Sequence, residues 1–416
     1  MNTVRHPLSL ALVTLLVALP ASSAPTAGPP TQVWIDVATH DIAGMPDLGA
    51  MGGMAGFAGK MMGGKADAGS RLYPQAQRPA LAGKLFDVAL YNRLKPGLEA
   101  QQSIPAGLGL GKSLTLLPPT SNPDGRRDDP SQTEDVEMTI HEYWGCGAGV
   151  RKGQPNTFKV KVKGGQVQTE GSMAKGRYAP DRDIDTGPAY ALWPNRKSGQ
   201  RVGSNASLTG QHHITGDGVP ASLTFQLGQS ADFMPKIALN HSGGLADAVP
   251  VTWQPVDRAR AYFLHAFAMR DPRTVVLWSS AEVAGVGDGI VNYLTGSQID
   301  KWLKEKLLLP ASTGSCTIPQ GIFNGTGEGA GMAPLNMIAY GPETNITWPE
   351  RPADPKQPWN PEWNVRIRTK STSTAILGMD MSGMDDDAQP GQDSQPPEED
   401  EGVGKKLLKG LLKRGL

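Results

Sequence analysis

At 416 residues the chain has room for two or three domains of about 150 residues each, and its 40 Lys and Arg balance 40 Asp and Glu. A net charge of zero excludes nucleic-acid binding by bulk attraction. With 51 Gly, 35 Pro and 6 % aromatic residues, turns and short strands are favoured over long helices.

The N-terminus carries Arg5 and His6, then an uncharged apolar run from Leu8 to Leu19, then small residues at Ala21 to Ala24. This is the layout of a secretory signal peptide over residues 1–23. The run is too short for a spanning helix, which needs about 20 apolar residues. The mature chain is therefore expected outside the cytoplasm, periplasmic or envelope-associated.

The first mature region, 24–119, opens with a strand at 33–38 (VWIDVA) and resumes strand alternation at 85–91 (LFDVALY). Between them, 45–64 is a Gly/Met tract that reads as a loop. GLGLGKS at 107–113 imitates a phosphate-binding loop, but Pro118-Pro119 arrive too soon for the helix that motif needs.

The region 133–244 begins with an alternating strand, 136–144. A hairpin follows at 157–170, with Phe158, Val160 and Val162 on one face and Gly164-Gly165 at the turn. Another strand lies at 221–227. His212-His213 with Asp217 offers metal-ligand types, but a strand points adjacent residues to opposite faces.

In the region 245–377, Trp253 and Pro255 precede a strand with Tyr262, and VVLW at 275–278 reads as a third strand. Residues 250–283 resemble the start of a fibronectin type III or immunoglobulin-like domain, which implies a sandwich core around Trp253 and Tyr262. An amphipathic helix is expected at 297–308, with Ile299, Trp302 and Leu303 on one side and Pro310 as its stop. Strands at 336–341 and 363–371 follow, the latter with Val365 and Ile367 on one face and Arg366 and Arg368 on the other. The fold class expected is mainly β: two or three antiparallel β-sandwich-like domains, one amphipathic helix, and disordered Gly/Met and acidic segments.

Cys146 and Cys316 are the only cysteines. In an oxidising compartment they read as one disulfide, the alternative being two buried thiols. Residues 378–402 form an acidic linker expected to be disordered, and 403–416 a basic amphipathic tail. In that tail Lys405, Lys406, Leu407, Leu408, Lys409, Leu411, Leu412 and Lys413 make a candidate contact with an anionic membrane surface. Thioethers are soft ligands that suit Cu(I). Met379, Met381 and Met384 stand beside acids as a candidate copper site, echoing Met45, Met51, Met54, Met61 and Met62.

The chain as a whole resembles an exported bacterial envelope protein. No nucleophile–base or metal constellation marks an enzyme, and no cofactor is expected. The leading reading is a non-enzymatic binding or structural module for a protein or glycan ligand. The alternative is a periplasmic copper-handling protein using the Met tracts.

Overall fold

The computed structural model describes residues 29–44, 72–77, 79, 82–119, 136–163, 166–171, 187–326 and 331–378. It is mainly β. The strands are β1 (Thr31–Ile42), β2 (Gly83–Tyr91), β3 (Ala100–Ser103), β4 (Ser113–Leu116), β5 (Val136–Trp144), β6 (Asn156–Lys163), β7 (Gln166–Gly171), β8 (Tyr190–Trp193) and β9 (Gly210–Gly216). Then come β10 (Thr224–Leu227), β11 (Leu239–His241), β12 (Val249–Trp253), β13 (Ala261–Asp271), β14 (Thr274–Ser279), helix α1 (Gly296–Lys304), β15 (Leu309–Pro310), β16 (Ser315–Ile318), β17 (Ala333–Trp348) and β18 (Trp363–Leu377).

Ten strands run side by side in the order β7-β6-β5-β14-β13-β17-β18-β1-β2-β8, and β15 pairs with β13. Strands from the stretches 24–119, 133–244 and 245–377 thus share one hydrogen-bonded sheet. Two contacts in it are parallel, β1 with β18 and β14 with β5; the rest are antiparallel. Two small sheets, β10-β9-β3-β4 and β11-β12-β16, cover one face of the large one.

The alternation in β1 and β18 explains that covering. Val33, Ile35 and Val37 point with Trp363, Val365 and Ile367 into one core, where they meet Leu116, Ile214 and Phe225 of the four-stranded sheet. A second core joins Tyr262, Leu264, Trp278 and Met337 of the large sheet to Val251 and Ile318 of the three-stranded one. Trp253 and Tyr262 meet in this core edge to face, ring centroids 5.5 Å apart. The two cores are separated by a polar seam: Thr39 Oγ1 donates to Met234 O and Ser371 Oγ to Pro235 O, at 2.7 and 2.6 Å. At that seam Gly341 lies against Met234 and Thr369, where any Cβ would collide.

The opposite face of the large sheet carries α1. Ile299 and Trp302 pack with Ile290, Leu294, Leu307 and Leu308 against Phe263, Ile338 and Tyr340. Thr295 caps the helix by accepting from the Gln298 N–H. The helix ends at Lys304, short of the expected 308 and before Pro310 can act. Lys306 adopts a left-handed conformation (φ 59°). The Leu307 N–H returns to Trp302 O and the Lys306 N–H to Leu303 O, the bonding of a Schellman cap. The helical spacing of the later leucines is real burial, but it is reached by a turn. Among the described residues no helix is long and apolar enough to cross a membrane.

Cys146 and Cys316 are bonded, with Cα atoms 5.1 Å apart and a sequence separation of 170. The bridge ties the loop after β5 to β16, so it fastens the large sheet to the three-stranded one.

Candidate binding surface

The helix-bearing face of the large sheet is apolar over β13 and β17, beneath α1, and again over β14, β5 and β6, where Val275, Met138, Ile140, Phe158 and Val160 cluster. Toward β18, β1 and β2 it becomes polar. Ile35-Asp36-Val37-Ala38 in β1 and Phe86-Asp87-Val88-Ala89 in β2 share one pattern, and the strand register sets Asp36 directly opposite Asp87. Their apolar neighbours point to the core, so alternation turns both acids to the other face. Like charges placed opposite each other destabilise a sheet.

Strand β18 supplies the counter-charges. Arg368 Nε and Nη2 donate to Asp36 Oδ1 and Oδ2, both at 2.6 Å, and both side chains are only 4 % exposed. Asp87 takes a different solution: its two oxygens accept from the backbone N–H groups of Gln75 and Ala76 at 3.1 and 2.7 Å. Burial pushes its carboxyl well above the usual carboxylate range; the Asp36 charge adds to this and the backbone bonds oppose it. Lys370 Nζ donates to Gln77 O at 2.6 Å. The Tyr293 ring lies against both cations, 4.7 Å from Arg368 Cζ and 4.4 Å from Lys370 Nζ, a contact that gains strength where water is excluded. Its hydroxyl donates to Ala76 O at 3.3 Å. His40 Nδ1 pairs with Thr372 Oγ1 at 2.8 Å; burial, then the nearby Lys370 charge, lower its pKa to about 4.

This layer is closed. Its cations are spent on carboxylate, carbonyl and ring partners, and residues 75–77 and Tyr293 lie over it. Its effect is to clamp those segments onto the sheet.

Beyond the clamp, toward the start of β1 and β18, the same face opens. Trp34, Tyr91 and Tyr190 stand half-buried on the adjacent strands β1, β2 and β8. Tyr190 touches both partners, with ring centroids 5.8 Å from Trp34 and 5.7 Å from Tyr91. Ala89, opposite Trp34 on β2, is small enough for the Trp34 and Tyr190 rings to meet past it. Arg366 lies beside Trp34 in the register and pairs with Glu343 at 3.1 Å. Burial, with Arg368 next, pulls the Arg366 pKa down, and the Glu343 charge opposes this. Asn364 and Asn345 complete the polar flank, on the same faces of β18 and β17 as Arg366 and Glu343. Asn364 Oδ1 is buried and meets no donor among the described residues.

No family model matches this chain, and neither the curated proteins nor the solved structures give a match.

Of the residues singled out in the sequence, the structure joins Cys146 to Cys316. The candidate signal peptide 1–23, the 45–64 tract, the candidate copper ligands Met379, Met381 and Met384, and the tail residues Lys405 to Lys413 lie outside the described residues. His212 serves the fold: its ring nitrogens bond Gln102 Nε2 at 3.1 Å and Leu208 O at 2.8 Å, and it stacks on Phe225. Asp217 is in an exposed ion pair with Lys95. Ser113 of the phosphate-loop imitation begins β4, so no helix follows it. Among the described residues, no three His, Cys, Asp or Glu side chains gather as a metal site.

Sequence reading missed the acid pair and the aromatic strip. A signal existed for the first. IDVA and FDVA each set an acid between apolar residues in a strand with an otherwise apolar centre, and such a position needs a buried partner.

Proposed function

We propose that the chain is an exported, envelope-associated binding module that performs no chemistry, built as a sandwich-like packing of one large sheet and two small ones. Its ligand surface is the open strip of the helix-bearing face. The observation that carries this is the ring cluster of Trp34, Tyr91 and Tyr190, half-buried on the adjacent strands β1, β2 and β8 and flanked by Arg366, Glu343 and Asn345. Trp and Tyr offer large contact area at small entropic cost, with a polar tip for orientation. The buried clamp beside the strip holds its floor rigid, which lowers the cost of binding. The candidate signal peptide and the disulfide agree with an oxidising, exported compartment.

The test is co-sedimentation of the purified protein with an envelope fraction of its source cells. Retention of the native chain and loss in Trp34→Ala/Tyr190→Ala, with an unchanged circular dichroism spectrum, is the expected result. Equal retention of both proteins would sink the assignment of the surface.

A further inference from the structure

The geometry points to a neutral glycan chain as the occupant of this strip, an inference that rests on the surface assigned above. Three features select that chemistry. First, the three rings form one contiguous cluster on the sheet: Tyr190 touches both Trp34 and Tyr91, with ring planes tilted by 59° and 52°, so the cluster offers ring faces and edges side by side. The C–H faces of sugar rings pack on such surfaces, and the hydroxyls project sideways to polar neighbours. Second, those neighbours are groups that read hydroxyls. Asn364 and Asn345 are both donor and acceptor types, and the buried Asn364 Oδ1 has no donor among the described residues.

Third, local charge cancels. Arg366 and Glu343 are paired at 3.1 Å and each is under one-fifth exposed, so at this pair an anionic chain finds its cation already neutralised and meets a carboxylate. That balance disfavours polyanionic glycans, nucleic acid and anionic lipid alike. The dimensions favour a chain over a single sugar. The strip crosses five adjacent strands from β17 to β8, roughly 19 Å at the usual strand spacing.

A glycan array carrying neutral, uronic-acid and sulfated oligosaccharides, probed with the full chain and its disulfide intact, tests this. Binding is expected only on neutral glycans, lowered at least about tenfold in Trp34→Ala and restored in Trp34→Phe. Binding led by the acidic or sulfated glycans, binding unchanged in Trp34→Ala, or no binding across the array overturns the inference. Treating the envelope fraction separates this failure from that of the surface itself. Retention that survives periodate but not proteinase K, and that still depends on Trp34, overturns the glycan and leaves the surface standing as a protein-binding one.

Discussion

Replacing Asp36 by Asn removes one partner of an ion pair whose two side chains are each 4 % exposed. Arg368 keeps its charge and its contact with the Tyr293 ring, but loses its counter-charge and one of its two 2.6 Å acceptors, which becomes an opposing NH2 donor. An uncompensated buried charge of this kind costs about 3–5 kcal/mol. Arg368→Met leaves the opposite orphan, with Asp36 facing Asp87 across the strand register, and a loss of similar size is expected. The double change Asp36→Asn/Arg368→Met removes both charges, and Lys370 remains beside Asp87. It should therefore lose at least about 2 kcal/mol less than the two single losses combined. Urea unfolding read by tryptophan fluorescence, with the disulfide oxidised, measures this. With m near 3 kcal/mol/M, each single variant moves the midpoint down by about 1–1.7 M. Additive losses across the four proteins would show that the pair is not energetically coupled and that the clamp is misread. Single variants that match the native midpoint would refute its role in stability altogether.

Three further outcomes are expected. His40 has a pKa of 6.5 in the unfolded chain and about 4 in the fold, so the unfolded state takes up its proton first and stability falls as pH drops from 6.5 toward 4. Between pH 7 and pH 5 the native protein should lose about 2 kcal/mol more than His40→Asn; parallel losses in urea titrations at the two pH values would remove His40 as the cause. Lys306→Gly should stabilise by about 1 kcal/mol, because glycine holds the left-handed cap without the Cβ penalty; a lowered thermal midpoint would show that the Lys306 side chain matters more than its backbone. Cys316→Ser opens a 170-residue loop and should cost about 5 kcal/mol on chain-entropy grounds. A urea midpoint unchanged from the native protein, with mass spectrometry confirming the bond in the latter, would contradict that.

What the sequence made legible follows from alternation. Residues 136–144 read as a strand and form β5, and the hairpin around Gly164-Gly165 forms β6 and β7 with Phe158, Val160 and Val162 buried together. These strands have one apolar face, which is what period-two reading detects. The centre of β18 resists such reading because both its faces are buried while the sequence there, Arg368 to Ser373, is wholly polar. One face of that segment joins the ion layer and the other bonds the carbonyls that cross the polar seam. Nothing local announces that two polar faces will both be covered; the covering segments lie far away in sequence, at 75–77 and near Tyr293. The helix end failed for a different reason. Its stop is a left-handed Lys306, where the usual signal would be glycine. The aromatic strip is invisible in sequence because Trp34, Tyr91 and Tyr190 come from separate stretches that only the β1-β2-β8 order brings together.

Hydroxyl-radical footprinting of the protein, free and bound to its envelope fraction, tests the assignment of the ligand surface most directly. Protection is expected at Trp34, Tyr91 and Tyr190, with Trp348, which is 51 % exposed at the end of β17, left as reactive as in the free protein. Protection centred on Trp348, with the three strip residues unchanged, would contradict it.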